Sequence, residues 1–295
     1  MTVQASDLAS IAFGADPGRW PVPPALSEGR CSSETRWLRA VALGGQGRYS
    51  LARTELDVAE RGGSVTRERR SLMASTTASW LRQMGEHRRA AGFDGAAVAL
   101  VGVGFTGESA LVVEARCDAL TGLGADALGT GSFGAASAAL NRCEALLGEY
   151  PHTSRLWRQH LRLQWVRAEL AMFTGDGSSA LRHALVAREL ATDTVSLRHI
   201  TKTELIVAAA LSSVGRIDQS RDDAYRVLDA CSEHGLVPLK WAAAMLLKGL
   251  GEVTTAGPIV DECAALLSRR GGFLAAVRDD GPSGSILRGE GRYPY

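Results

Sequence analysis

The stretch Ala97-Val-Ala-Leu-Val-Gly-Val-Gly-Phe-Thr-Gly-Glu108 decides between two folds. Its three glycines form a G-x-G-x-x-G pattern after an apolar run, which is typical of the turn that binds a dinucleotide between a strand and a helix. That arrangement also needs a helix after the last glycine, and then a strand that ends in an acidic residue. Here Leu111-Val-Val-Glu114 follows almost at once, and Asp126 lies in a glycine-containing segment that is not a strand. We therefore predict a joint between two helices and no cofactor.

The rest of the chain predicts an all-α fold. From residue 33 to residue 269, apolar and small residues recur at spacings of three and four, and glycines interrupt them at intervals, which indicates helix after helix with short breaks. Residues 1–32 contain Asp16-Pro-Gly-Arg-Trp-Pro-Val-Pro-Pro24, and we predict a proline-rich, extended N-terminal arm. Residues 270–295 are expected to form a flexible C-terminal tail.

The helical region is internally repetitive around five glycines. These are Gly47, Gly85, Gly131, Gly175 and Gly215. A small residue stands seven positions before each glycine, namely Ala40, Ala78, Gly124, Ala168 and Ala208. Another stands five positions after it, namely Ala52, Ala90, Ala136, Ala180 and Ser220. Because two helices approach closely only where side chains are small, and because glycine accepts the left-handed conformation that ends a helix, each glycine predicts a helix–turn–helix unit.

This pattern resembles the tetratricopeptide repeat (TPR). The resemblance implies a TPR-like right-handed superhelix, an α-solenoid of about five to six helix–turn–helix units. A sixth pair is expected at residues 238–250 and 258–268, with Pro238 and Pro258 at first helical positions. The glycines are 38 to 46 residues apart, longer than the family's repeat, and most of its aromatic and proline positions are missing. Longer helices are therefore expected.

The family's concave groove is lined by the first helix of each repeat, and this implies candidate groove residues. The positions carried over are Leu72, Ser75, Ser79, Arg82, Asp118, Thr121, Ala125, Arg162, Trp165, Glu169, Lys202, Leu205 and Ala209. Arg162 and Lys202 occupy the same position in consecutive repeats, and other basic residues lie near them on the same faces. The residues expected to bind a peptide or partner are Arg82, Gln83, Arg155, Arg158, Arg162, Trp165, Glu169, Arg198, His199 and Lys202.

Two ordinary alternatives apply to these side chains. The arginines could be solvated helix faces, or could lie with their stems over the apolar core. The tryptophans could anchor a ligand in the groove, but an aromatic residue at helical spacing more often belongs to the core.

Composition narrows the function classes. The formal charge of +1 excludes a whole-surface basic field, so direct nucleic-acid binding is not expected. The five scattered cysteines favour a reducing compartment, and no apolar run is long enough to insert into a membrane. With no leader-like N-terminus, a cytoplasmic location is expected. Richness in arginine, alanine and glycine suggests a GC-rich, actinobacterial-type bacterial source.

Catalytic and metal-binding patterns were sought in the sequence. The histidines are not spaced as paired metal ligands, and Cys231-Ser-Glu-His234 has no second half that would complete a zinc site. No G-x-S-x-G is present. We expect neither catalysis nor a metal site.

Two functions follow as expectations. The first is a noncatalytic adaptor or scaffold that binds a protein or peptide segment, of acidic character, in its concave groove. The alternative is a ligand- or peptide-sensing regulatory protein that acts on transcription through a partner. The sequence does not give the oligomeric state.

Overall fold

The computed structural model of the protein describes residues 3–22, 31–63, 65–102, 104, 109–150 and 154–272. Within these ranges the chain contains thirteen α-helices and one 3₁₀ turn (Ser154–Leu156), and it has no strand. The predicted all-α class is confirmed for this part of the chain.

After the N-terminal helix α1 (Val3–Phe13), the helices follow in six pairs whose two members pack against each other. The pairs are α2 (Ser33–Gly45) with α3 (Tyr49–Arg61), α4 (Arg67–Gln83) with α5 (His87–Val101), α6 (Ala110–Gly129) with α7 (Phe133–Gly148), α8 (Trp157–Phe173) with α9 (Gly177–Thr192), α10 (Leu197–Ser213) with α11 (Ile217–Glu233), and α12 (Val237–Gly249) with α13 (Val253–Arg269). Consecutive pairs also contact one another.

The turns within the pairs have the backbone conformation that the glycines predict. The five glycines on which the repeat was aligned all have φ between 73° and 80°, a conformation that is costly for other residues. The small residues that flank them are fully buried in most units, including Ala40, Ala52, Ala78, Ala90, Ala136, Ala168, Ala180 and Ala208. Each unit therefore folds as a tight hairpin of two helices.

Three of the helices that come first in their pair have a side-chain cap at the N-terminus. The hydroxyl groups of Ser32, Thr66 and Ser109 accept hydrogen bonds from backbone N–H groups in the first turns of α2, α4 and α6, at 3.1, 3.3 and 3.4 Å. Such caps satisfy N–H groups that have no partner inside the helix.

The glycine stretch from 102 to 107 lies at a joint between pairs, as predicted. The apolar run before it is the end of α5 rather than a strand, and α6 begins at Ala110. Residues 103 and 105–108 lie outside the described residues.

The N-terminal segment corrects the expectation of an extended arm. Residues Val3–Phe13 form α1, and Leu8, Ile11 and Ala12 are at most 3% exposed within the main hydrophobic core. The prolines forbid a helix only where they occur, and residues 14–22 are indeed non-helical. Pro23 and Pro24 lie outside the described residues, as does the predicted tail beyond residue 272.

The sixth pair has the expected hairpin but a different start for its second helix. α12 begins at Val237, one residue before the predicted start, so Pro238 is its second residue and lies in its first turn. Pro258, in contrast, lies inside α13, which begins five residues earlier at Val253. Pro258 has no backbone N–H group, so the helix lacks one hydrogen-bond donor at this position, but it continues to Arg269.

The first and last pairs meet. Ser50 N donates to Arg270 O at 2.9 Å, Arg270 Nη1 donates to Gln46 O at 2.9 Å, and Arg53 Nη2 donates to Gly271 O at 2.8 Å. Gly47 lies so close to Leu267 that a Cβ at this position would crowd that side chain. These contacts join the α2–α3 turn and the start of α3 to the end of α13.

Candidate functional site

One cavity of about 210 Å³ lies at the centre of the described helices. A single water molecule needs only about 10–15 Å³ on this measure, so the cavity has room for a small ligand. Its wall is formed by side chains from the first helix of every pair and by Phe13 of α1. The second helix of each pair does not contribute to it.

The structure brings the predicted binding residues together, except Arg155. The predicted residues that line the cavity are Arg82, Gln83, Arg158, Arg162, Trp165, Glu169, Arg198, His199 and Lys202. Arg155 lies in the 3₁₀ turn, where its side chain is 50% exposed and its Nε is 2.8 Å from Glu114 Oε2. Its position allows a contact with a ligand only from outside the cavity.

The other groove positions carried over from the family divide into two groups. Ser75, Ser79, Asp118, Thr121 and Ala125 line the cavity. Leu72, Leu205 and Ala209 do not line it and lie in the hydrophobic core, so their assignment to the groove is wrong. These three side chains pack between helices, where apolar burial is favourable.

Arg82 is enclosed by two carboxylates in what we call the acidic cluster, formed by Arg82, Asp94 and Asp126. Arg82 Nη2 is 2.6 Å from Asp94 Oδ2, and its Nε is 3.2 Å from Asp126 Oδ1. Asp94 reaches this position because Gly122 has no side chain; a Cβ there would collide with the carboxylate.

The acidic cluster holds more carboxylates than cations, and this changes the acidity of Asp94. Burial raises the pKa of Asp94 to about 7; the charge of Arg82 opposes this rise, and the nearby Asp126 carboxylate adds to it. Burial would lower the pKa of Arg82, but Asp94 and Asp126 outweigh it and the pKa is raised. Arg82 therefore stays charged, whereas Asp94 can hold a proton near neutral pH.

A second group of charges at the cavity is the basic cluster, formed by Glu114, Asp118, Arg155, Arg158, Arg162 and Arg198. Arg158 Nη2 lies 3.0 Å from Glu114 Oε1 and 2.8 Å from Asp118 Oδ2, and Arg162 pairs with Asp118 Oδ1. Burial would raise the pKa of Asp118, but Arg158 and Arg162 outweigh it, so the pKa lies below its ordinary value. Asp118 is therefore a fixed negative charge.

Arg162 and Lys202, which the sequence analysis paired as basic groove residues, are both engaged with carboxylates. Arg162 pairs with Asp118, and Lys202 Nζ lies 3.4 Å from Glu169 Oε1. Their side chains are 20% and 16% exposed, so they are not solvated helix faces. An acidic partner would have to compete with these internal carboxylates.

Aromatic rings lie directly beside the basic cluster. The His199 ring is stacked with Trp165 at 5.7 Å between centroids and 22° between planes, and Phe13 lies 6.0 Å from it. His199 Nδ1 is 2.7 Å from Ser196 Oγ. Burial, with the charges of Arg198, Arg158 and Arg162, holds the pKa of His199 well below its usual range, so the ring is neutral.

Some lining residues were missed by the sequence analysis. Phe13 was assigned to the arm, and only its place in the apolar periodicity of residues 8–13 could have identified it as a helical core residue. Trp37 and Trp80 were weighed as groove anchors, but a place in the core was preferred for them; both line the cavity. Trp80 lies against α2 because Gly44 has no side chain; a Cβ there would collide with the indole ring.

The other features weighed from the sequence are the cysteine at position 231, a metal site and a membrane span. Cys231 is 1% exposed in the hydrophobic core, where burial raises the pKa of its thiol to about 12. No group of three or more metal-ligating side chains occurs in the part of the chain that the structure describes. Among the described helices, none combines the length and apolar character needed to cross a membrane.

Comparison with known proteins gives no family for the chain. No protein-family model matches it, and no curated protein is significantly similar to it.

Proposed function

We propose that the chain is a noncatalytic binding protein, built as a TPR-like right-handed superhelix of six units, that takes a ligand into its central cavity. The observation that carries the proposal is the convergence of the first helices: one from each pair, and α1, contribute side chains to one cavity. Polar groups and aromatic rings that converge on a concave space are the usual properties of a ligand site.

The closure between the first and last pairs favours a small ligand over a long peptide. The hydrogen bonds that Ser50 and Arg53 make with residues 270 and 271 close the array that an extended peptide would need to follow. The ligand-sensing alternative from the sequence is therefore the better supported one. Regulation would be transmitted to a partner when the ligand changes the stability or packing of the helices around it.

A cavity-filling variant tests this proposal. Ala125 lines the cavity, whereas Ala96 is exposed on α5, so Ala125→Phe and Ala96→Phe make the same chemical change inside and outside the site. We expect a low-molecular-mass fraction of a bacterial extract to raise the unfolding temperature of the wild type and of Ala96→Phe, and to leave folded Ala125→Phe unchanged. Equal shifts in all three proteins, or no shift in any, would contradict the proposal.

The adaptor function is the second candidate, and the position of Arg155 favours it. This side chain continues the basic cluster from the cavity to the outer surface, where an acidic chain end could approach. Affinity purification with the wild type, Ala125→Phe and Ala96→Phe separates the two functions. A single protein partner that Ala125→Phe loses and Ala96→Phe keeps would support the adaptor, provided that the low-mass fraction has no effect.

A further inference from the structure

We infer that the ligand of the cavity is a small organic monocarboxylate with a flat apolar body, whose carboxylate pairs with Arg198. This inference rests on the proposed function, since it names the class of molecule that the cavity would hold. It depends on three observations: the pairing of the cavity's cations, the charge balance of the basic cluster, and the rings beside it.

Arg198 differs from the other cations that line the cavity. Arg82, Arg158, Arg162 and Lys202 each lie within ion-pair distance of a carboxylate. Among the described residues, Arg198 has no such carboxylate; its Nη2 donates to the Ala12 carbonyl oxygen at 2.9 Å, and its Cζ lies 5.9 Å from the centre of the Phe13 ring. A guanidinium group has five N–H donors, so most of those of Arg198 remain for a ligand.

The charge count around Arg198 leaves room for one negative charge. Arg158 and Arg162 pair with the carboxylates of Glu114 and Asp118, whereas Arg198 has no carboxylate within ion-pair distance among the described residues. Arg155 also pairs with Glu114, but its half-exposed side chain keeps much of its hydration. A buried charge without a counter-charge is costly, so a monovalent anion would relieve the surplus.

The acidity of Arg198 is consistent with this surplus. Burial, together with repulsion from Arg158 and Arg162, lowers the pKa of Arg198 to about 10. It stays protonated at neutral pH, and it does so at a cost that an anion would reduce.

The cavity is also lined by aromatic rings. Phe13 packs 5.7 Å from Trp37 and 6.0 Å from His199, and Trp165 is held by a hydrogen bond from its Nε1 to Thr203 Oγ1 at 3.0 Å. These neutral rings lie beside Arg198 and can contact a flat group. A cavity of about 150 Å³ accepts benzene, so one of about 210 Å³ can hold a ring with a carboxylate.

A carboxylate fits this site better than a phosphate. The planar guanidinium group binds a carboxylate through two parallel hydrogen bonds. A phosphate monoester carries about 1.5 to 2 negative charges near neutral pH, which exceeds the single surplus charge. Two carboxylates already engaged with arginine would repel the additional charge.

Calorimetric titration with benzoate and benzamide tests the inference, because the two probes have almost the same shape and differ in charge. We expect the wild type to bind benzoate roughly tenfold or more tightly than benzamide, as hydrogen bonds to a charged group are the stronger ones. Arg198→Met should lose this preference. Arg88→Met is the matched control, because Arg88 is exposed on α5 and does not line the cavity, and it should keep the preference in full.

The outcomes separate the inference from the proposed function. Equal binding of benzoate and benzamide to the wild type would overturn the inference that the ligand is a carboxylate. It would leave the proposal of ligand binding in the cavity intact. A benzoate preference that survives Arg198→Met would place the anion elsewhere and overturn the assignment to Arg198. No binding of either probe would also overturn the inference, while the extract experiment with Ala125→Phe would still decide the proposed function.

A third probe tests phosphate binding, and a second variant keeps the test valid if Arg198→Met misfolds. If phenyl phosphate binds more tightly than benzoate, the assignment of the ligand as a carboxylate is wrong and a phosphate is favoured. If Arg198→Met does not fold, Arg198→Lys keeps the charge and loses the paired donors, so an intermediate preference for benzoate is expected. A full preference in Arg198→Lys would contradict paired recognition by Arg198.

Discussion

The two ion clusters at the cavity combine arginines and carboxylates in opposite proportions. In the acidic cluster one arginine pairs with two aspartates, whereas in the basic cluster Arg158 and Arg162 pair with two carboxylates and Arg198 has none within ion-pair distance among the described residues. The acidic cluster can correct its imbalance with a proton on Asp94, whose pKa is about 7. The arginines of the basic cluster stay protonated near neutral pH, so its correction has to come from an added anion.

Removing the cation of the acidic cluster should have the largest effect. Arg82→Met removes the guanidinium group that pairs with both buried aspartates, and we expect the free energy of unfolding to fall by about 3–5 kcal/mol. Chemical denaturation at neutral pH measures the change. Arg88→Met on the exposed face of α5 is the control and should stay within about 0.5 kcal/mol of the wild type. A small effect of Arg82→Met would show that the fold does not depend on a cation at this position.

Removal of one carboxylate from each cluster should cost different amounts. Asp118→Asn leaves Arg158 and Arg162 with less compensation, and we expect a loss of about 2–4 kcal/mol. Asp94→Asn leaves Arg82 paired with Asp126, so a loss of about 1–2 kcal/mol is expected. Denaturant titrations of both variants at neutral pH provide the comparison. Equal losses, or a larger loss for Asp94→Asn, would remove the difference between the clusters.

Stability should depend on pH through Asp94. Its folded pKa of about 7 lies above the ordinary 3.8, so the folded protein holds a proton that the unfolded chain releases in this window. The stability from this group is full below about pH 4 and is lost as the pH rises towards 7. Between about pH 5 and pH 8, the wild type should therefore lose stability relative to Asp94→Asn. Because the two proteins differ only at this position, their comparison isolates the contribution of Asp94, and a constant difference would argue against a protonated Asp94.

The smallest effect on stability is expected at Arg198. Arg198→Met removes a hydrogen bond to Ala12 and also removes a surplus buried charge, and these two effects oppose each other. We expect the free energy of unfolding to change by no more than about 1 kcal/mol, measured as for Arg82→Met. A loss as large as that of Arg82→Met would show that Arg198 is structural and that the basic cluster is already balanced.

Much of the helical pattern could be predicted from local rules. Gly47 and its equivalents predict where the first helix of each pair ends. The small residues at fixed distances from them predict where the two helices cross. The same alignment indicated which faces of α4, α6, α8 and α10 would meet. It failed at Leu72, Leu205 and Ala209, because family positions do not report how far each helix is rotated towards the core.

The sequence by itself determined the elements: helices, turns and the first helices that carry the polar residues. Only the tertiary structure decided how these residues share charge, which cations Asp118 and Glu114 neutralise, and that α1 supplies Phe13. The physical reason is distance along the chain. Helix and turn formation depends on residues within about one or two turns, whereas Arg158 meets Glu114 across 44 positions and Arg53 meets Gly271 across 218. Burial and pairing depend on those distant neighbours, and no local period of the sequence reports them.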